Sequence, residues 1–425
     1  MSGVWCLLFQ DADGTVPGLN QAVTNSMNNV RRAVFSSLLF AAMGAATFTA
    51  ASLGILATFI IDDLSISRAE LGVVLAVVNV AAAVLSPIAG RMTDRIGGRK
   101  GLIALFLSAG AAYAILGSAS AYAMLLGGAL VGAFSQAAAN PATNKLIAED
   151  VPAGERGLIT GVKQSGVQAG IFLGGLTIPT LAVALGWRSA YLIIAVAPLV
   201  FAAIAAWLIP AAPKTSIASR SRSRNPLSGA IWWLAGFGFL MGFSGAVTFL
   251  VPLFVEEALG LSPITGGIAV AVIAFVAVPG RILWSRFAER SGRFRGSLGT
   301  MAVLSIGAAG LFYASGAVAP WLLWPAAVLI AVGSSSWNSV GMLAVMVEAG
   351  VDSTGRASGV VLFGFLTGLG IAPPIFGAIV DHTNSYDLMW LLSAIAATGA
   401  AVVIAAWRRS VRNRYPETNR RQTSR

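Results

Sequence analysis

Gly90-Arg-Met-Thr-Asp-Arg-Ile-Gly-Gly-Arg-Lys100 is a short basic turn between two long apolar runs, and the rest of the chain reads outward from it. Gly97 and Gly98 can reverse the chain, because glycine takes backbone angles that other residues resist. Asp94 can accept from the N–H groups that open the following helix. Gly90 presents no side chain, so it lets two helices approach closely at the membrane edge. Arg95, Arg99 and Lys100 then hold the turn on the side where positive charge collects.

The apolar runs on either side belong to a series. Of 425 residues, 56% are hydrophobic and 11% are charged, against roughly 25% charge in a soluble domain. Runs of about 20 residues, long enough to cross about 30 Å of hydrocarbon, recur about twelve times. They are expected at 33–60, 70–90, 101–119, 121–147, 157–183, 187–209, 229–255, 263–287, 297–318, 320–347, 357–380 and 387–408. An all-α membrane protein with the lipid bilayer as its solvent is therefore the expected fold class.

Residues 210–228, rich in Pro, Ser, Lys and Arg, form the only long polar linker inside the chain. They separate a first bundle of six helices at 31–209 from a second at 229–409. Residues 1–30 read as a disordered cytoplasmic tail: the apolar patch Val4–Phe9 has no basic flank before it, which makes a poor signal peptide. Translation starting at Met27 is an alternative. Residues 410–425 read as a basic cytoplasmic tail.

All but four of the 28 Lys and Arg fall in the tails, in the loops after even-numbered spans, or at their edges. Asp62, Asp63, Glu70, Glu256, Glu257, Asp381 and Asp387 lie on the opposite side, with Arg68 and Arg188. This asymmetry predicts that both termini are cytoplasmic. A net charge of +11 spread over loops and tails fits an anionic membrane leaflet and argues against nucleic acid as a partner. One cysteine, Cys6, and one histidine, His382, exclude a disulfide framework and a thiolate or histidine metal cluster. No phosphate-binding Gly-Lys-Ser/Thr loop and no embedded acid–base pair is present, so neither an enzyme nor a cofactor is expected.

Gly90–Lys100 resembles the loop between helices two and three of the major facilitator superfamily of membrane transporters. The second half carries a degraded copy, Glu289-Arg290-Ser291-Gly292, at the equivalent place, and Arg156 and Arg356 likewise follow the fourth and tenth spans. The resemblance covers about residues 31–409. It implies twelve helices in two pseudo-symmetric six-helix bundles, a central cavity lined by helices one, four, seven and ten, and transport by alternating access. It also implies a small-molecule substrate, a monomer, coupling to a proton or ion gradient, and a bacterial-type inner membrane. Gly90, Asp94, Arg95, Gly97 and Arg99 would act as a conformational latch on the cytoplasmic face.

The remaining two cations, Lys163 and Arg281, fall inside predicted spans, where a charge costs a few kcal/mol. No carboxylate lies mid-span to pair with either. Arg281 stands about 12 Å along the eighth helix from Glu289. An unpaired guanidinium favours an anion, which its fork can hold bidentately. An arginine here resembles those of monocarboxylate and oxalate/formate-type members. Monocarboxylate members also carry an aspartate one turn earlier, where this chain has Ala277. The alternative is that Lys163 snorkels to the surface and Arg281 pairs with helix-end carbonyls or Glu289.

Uncharged polar groups in lipid must face protein or a wet cavity. By the resemblance, Gln136 and Asn140, on one helical face, join Trp337 and Asn338 as cavity-lining candidates beside Arg281 and Lys163. Thr47, Thr49, Ser52, Ser244 and Thr248 are weaker candidates. The fifth span contains Gly157, Gly166, Gly170, Gly174 and Gly175, a pattern that resembles the helix-five signature of proton-coupled antiporters, with Ile171 where that signature has proline. Small residues at this spacing make a smooth helix-packing face. Gly364, Gly368 and Gly370 look equivalent in the eleventh span. Two readings follow: transport of a small organic or inorganic anion such as a monocarboxylate, or proton-coupled efflux of a hydrophobic compound. Drug exporters usually carry an arginine early in helix four, and Ala121–Ala139 has none. A non-transporting sensor or scaffold is a third reading, which solute flux would exclude.

Overall fold

The computed structural model describes residues 17–152, 156–209, 227–349 and 354–414, with side chains from Arg32 onward and not at 156–158, 354–355 or 412–414. Among the described residues, twelve helices are long and apolar enough to cross a membrane. Spans 1 to 6 are Arg32–Ile55, Arg68–Ile96, Gly98–Gly117, Tyr122–Asp150, Ile159–Leu185 and Trp187–Leu208. Spans 7 to 12 are Gly229–Phe249, Pro263–Ser291, Phe294–Ala317, Pro320–Ala349, Arg356–Thr383 and Asp387–Val411. No strand occurs among the described residues. The molecule is an all-α integral membrane protein.

Three departures from the expected spans have local causes. The first helix begins at Pro17, so residues 17–30 of the expected tail are helical; proline is a favoured first helical residue. Residues 1–16, the expected linker's 210–226 and the tail from 415 lie outside the described residues. Spans 1 and 7 each stop short and are followed by a separate short helix, Ala57–Leu64 and Val251–Glu257. The second of these has Pro252 in its first turn, and proline cannot donate to a continuing helix. Span 10 is not continuous: Leu323–Val332 and Trp337–Ala349 are separated by a turn at Gly333-Ser334-Ser335-Ser336.

The expected packing glycines are in the seams. A Cβ on Gly166 would lie 1.9 Å from the Phe40 carbonyl oxygen, and one on Gly174 2.2 Å from the Phe48 ring. A Cβ on Gly170 would sit 3.1 Å from the Gly44 Cα, so this face of span 5 is pressed against span 1. Gly175 faces span 8 instead, 2.5 Å from the Gly267 oxygen. The surroundings of Gly157 lie outside the described residues. In the second half Gly364 and Gly368 press span 11 against Ala235 and Phe239 of span 7, repeating the first half's arrangement.

Spans 2 and 11, and spans 5 and 8, join the two halves. The buried core shows which end is shut. One cluster runs through both halves and includes Leu53, Ile60, Tyr191, Val251, Phe254 and Trp390. At the end bearing the basic turn the core is split. One cluster there holds Leu38, Phe106 and Ile147; the other holds Phe237, Met301 and Trp407. Below, the two ends are called the acidic face and the basic face. The halves are packed together at the acidic face and parted at the basic face.

Candidate functional site

Between the parted halves lies a cavity of about 1620 Å³. Its lining runs from Arg91, Asp94 and Arg356 at the basic face to Thr248 and Phe249, where the continuous core closes it. Gln136, Asn140, Arg281, Trp337 and Asn338 all line it. The structure thus brings together five of the six substrate-contact candidates. Asp94 is the one carboxylate among the described lining residues.

Arg281 projects from span 8 to the broken middle of span 10. Its Nε and Nη2 donate to the Ser335 carbonyl oxygen at 3.2 and 2.9 Å. One turn along, the Trp284 indole donates to the Val332 oxygen at 3.0 Å, and the Ser336 hydroxyl donates to the Ala331 oxygen at 2.6 Å. Breaking a helix mid-membrane frees carbonyls, and these contacts satisfy them. The alternative reading, a pairing of Arg281 with carbonyls, is therefore present, and it uses one edge of the guanidinium. The other edge remains in the cavity wall.

Lys163 is the exception. It is 0% exposed and does not line the cavity. Its ammonium donates to Asn144 Oδ1 at 2.5 Å, Thr143 Oγ1 at 2.8 Å and Asn140 Oδ1 at 3.3 Å. It does not snorkel to the surface, and three oxygens of span 4 complete an ammonium's donor set. The missed signal was the spacing of Asn140, Thr143 and Asn144, which share a helical face. Asn79, 1% exposed, was missed as well. It takes Gln136 Nε2 on Oδ1 at 3.5 Å and gives its amide to the Leu75 oxygen at 2.9 Å. An asparagine inside the apolar run Val77–Val80 could have flagged it.

Of the weaker candidates, Thr47 and Thr248 line the cavity. Ser52 is buried under Tyr191 at 3.2 Å, and Ser244 pairs with Ser393 at 3.0 Å. Thr49 is buried against Gly132.

In the expected latch, Gly97 turns the chain at φ 90°. The close approach falls at Gly98, where a Cβ would lie 2.8 Å from Leu146; at Gly90 the nearest atom is 4.0 Å away, on Pro141. Gly90 lines the cavity instead. Lys145 of span 4 donates to the Asp94 carbonyl at 3.0 Å and lies 3.8 Å from its carboxylate. Arg99 donates to the Ala206 carbonyl, and the Arg95 side chain is exposed. These contacts stay within the first half, as parted halves require.

The acidic face is closed by an ionic cluster across the halves. Arg68, opening span 2, pairs with Glu257 at 2.9 Å and Asp381 at 3.1 Å. Asp381 also accepts the backbone N–H groups of Arg68 and Ala69 at 3.2 and 2.9 Å. Tyr386 donates to Glu257 at 2.6 Å. Beside it, burial pushes the Glu256 carboxyl up to about 7. Neighbouring Glu257 and Asp62 act in the same direction, against the Thr58 hydroxyl. Within the first half, Arg188 holds the Asp63 carboxyl below its ordinary value through a 2.6 Å pair.

A two-bundle, twelve-span fold with a central cavity matches known proteins. The family profile of the Major Facilitator Superfamily matches residues 38–373. The chain belongs to the major facilitator superfamily. It is a transporter of that family and not an enzyme. A probable sulfoacetate transporter of Cupriavidus necator is 25% identical over 384 residues, covering 82% of this chain and 87% of that one. A gallate transporter of Pseudomonas putida is 29% identical over 198 residues, 44% of this chain and 42% of that one. Among solved structures, a bacterial homologue of the human lysosomal transporter Spinster superposes with a TM-score of 0.73 at 16% identity. That structure is described as inward-facing and occupied, and the match covers 89% of this chain and 97% of that one. It supports the superfamily fold.

Proposed function

We propose that this superfamily member is a secondary active transporter of a small organic anion, coupled to a proton or ion gradient. One observation carries the reading: the Arg281 guanidinium sits in the cavity wall, and the only described lining carboxylate, Asp94, is at the mouth against Lys145. A cation at that depth is stabilised by an anion that completes its donors. The relatives named for sulfoacetate and gallate support an oxyanion head, and they widen it beyond monocarboxylates. Cation asymmetry argues that the basic face and both termini are cytoplasmic, in a bacterial-type inner membrane. The shape described here is then the inward-open one. In the opposite state Asp94, Arg95 and Arg99 would latch the cytoplasmic face, while the Arg68 cluster parts.

The test is a thermal-shift titration of purified protein with sulfoacetate, gallate, acetate and tetraphenylphosphonium. A ligand that binds the folded state raises the melting midpoint by mass action. An anion should stabilise the wild type and lose its effect in Arg281→Gln. Stabilisation by tetraphenylphosphonium alone would replace this reading with hydrophobic efflux.

A further inference from the structure

Lys163 settles which atoms the neighbouring amides show to the cavity. Its ammonium lies 3.3 Å from the Asn140 side-chain amide and has no lone pair with which to accept, so the atom facing it is the oxygen Oδ1. Gln164 of span 5 reaches the same oxygen at 3.3 Å, and it can do so only with its amide nitrogen Nε2. Two donors from span 5 therefore fix the Asn140 amide, and the Gln164 amide is fixed with it. Left over are one donor group, Asn140 Nδ2, and one acceptor, Gln164 Oε1. Neither has a partner among the described residues.

Both residues are exposed and both line the cavity between the halves, so their free atoms open onto it. The other unpartnered amide oxygens of the wall, Gln136 Oε1 and Asn338 Oδ1, are buried atoms and offer the cavity no acceptor. Depth agrees as well. Asn140 and Arg281 each stand about 15 Å from the basic-face ends of their helices, Asp150 and Ser291. Gln164 stands about 12 Å from the start of its own helix at Arg156. The amide pair belongs to the first half and Arg281 to the second, so a ligand held by both touches both sides of the cavity.

A ligand group that displaces water from a donor–acceptor pair must return both hydrogen bonds. A hydroxyl can, because it donates as well as accepts. A second carboxylate or a sulfonate only accepts, and it would set its lone pairs against Gln164 Oε1. We propose that Asn140 and Gln164 form a site for a substrate hydroxyl, and that the transported anion is a hydroxylated carboxylate whose charged head goes to Arg281. This deepens the proposed function and rests on its anion reading.

The test compares acids matched except for hydroxyls, gallate with benzoate and glycolate with acetate, by thermal-shift titration of wild type, Asn140→Ala, Gln164→Ala and Arg281→Gln. In wild type the hydroxylated member of at least one pair should bind at least tenfold tighter. Asn140→Ala and Gln164→Ala should each abolish that advantage and leave the hydroxyl-free member's binding as it was. Arg281→Gln should weaken both members alike. If Asn140→Ala lowers the ligand-free midpoint, because Lys163 keeps only Thr143 and Asn144, Gln164→Ala decides by itself. Equal binding of both members of each pair in wild type overturns the hydroxyl site. So does an advantage that survives either variant with an unchanged ligand-free midpoint, or stabilisation by sulfoacetate and by no hydroxylated acid. Each of these results leaves the anion reading standing. A wild type that no anion stabilises overturns both.

Discussion

Replacing Arg68 with glutamine should open the acidic face, and the size of the effect follows from its contacts. Arg68 is the one cation in a cluster that joins span 2 to the short helix after span 7 and to the end of span 11. Its side chain is 28% exposed, and those of Glu257 and Asp381 are 23% and 21% exposed. Pairs this accessible are screened, so each is assigned the upper end of the exposed range, about 1 kcal/mol. Two such pairs bias closure by about 2 kcal/mol, roughly 30-fold in the ratio of closed to open. Thr248 lines the shut end of the cavity, so a cysteine there reports opening. In a Cys6→Ser, Thr248→Cys background, a membrane-impermeant maleimide applied from the acidic face should label Arg68→Gln about 30-fold faster than the parent. Arg188→Gln is the control, because its pair with Asp63 lies wholly within the first half. An unchanged rate in a folded Arg68→Gln protein would show that the backbone seam carries closure and the ion pairs do not. That seam is where Gly72 meets Pro374 and Gly377 meets Arg68.

Lys163→Met should act through stability. Three span-4 oxygens would lose their donor, at about 1–3 kcal/mol for such a buried group, so the ligand-free melting midpoint should drop. A normal midpoint with abolished anion binding would restore Lys163 as a substrate contact. Glu256 makes closure pH-dependent. Its carboxyl holds a proton up to about 7 in the closed face and loses it near 4.5 when solvated. The closed state therefore binds more protons, and closure weakens as pH rises from about 4.5 to about 7. Labelling at Thr248→Cys, normalised to a free thiol, should rise across that window and stay flat in Glu256→Gln; a parallel rise in both would reject the assignment. Asp94→Asn should lower the transport rate and leave anion affinity intact, measured as flux and midpoint shift; unchanged turnover would rule out the latch.

Lys163 and Arg281 gave the same signal in the sequence and have different settings in the structure, and the difference shows what a sequence can and cannot carry. Span number and the two faces follow from one-dimensional quantities, apolar length and charge, which is why twelve spans and the basic and acidic ends could be read directly. The packing glycines were legible too, because a missing Cβ matters wherever two helices touch. The role of a buried cation depends on what its neighbours leave unsatisfied. Lys163 meets Asn140, Thr143 and Asn144, whose oxygens fill its valence, and it becomes part of the scaffold. Arg281 meets a broken helix that takes two donors with one carbonyl and places the rest of the guanidinium in the cavity wall. The break itself was illegible: Gly333-Ser334-Ser335-Ser336 sits inside an apolar run that reads as continuous helix. It persists because Arg281 and Trp284, 54 and 48 positions away in the sequence, satisfy the carbonyls it frees. Arg68 was legible as a cation on the wrong face, and Glu257 and Asp381 as carboxylates on that same face. Only the meeting of spans 2 and 11 and the short helix after span 7 turns those three residues into a closed gate. In this fold the transport-relevant groups are the ones whose hydrogen-bonding capacity the helices leave incomplete, and incompleteness is a property of neighbours in space.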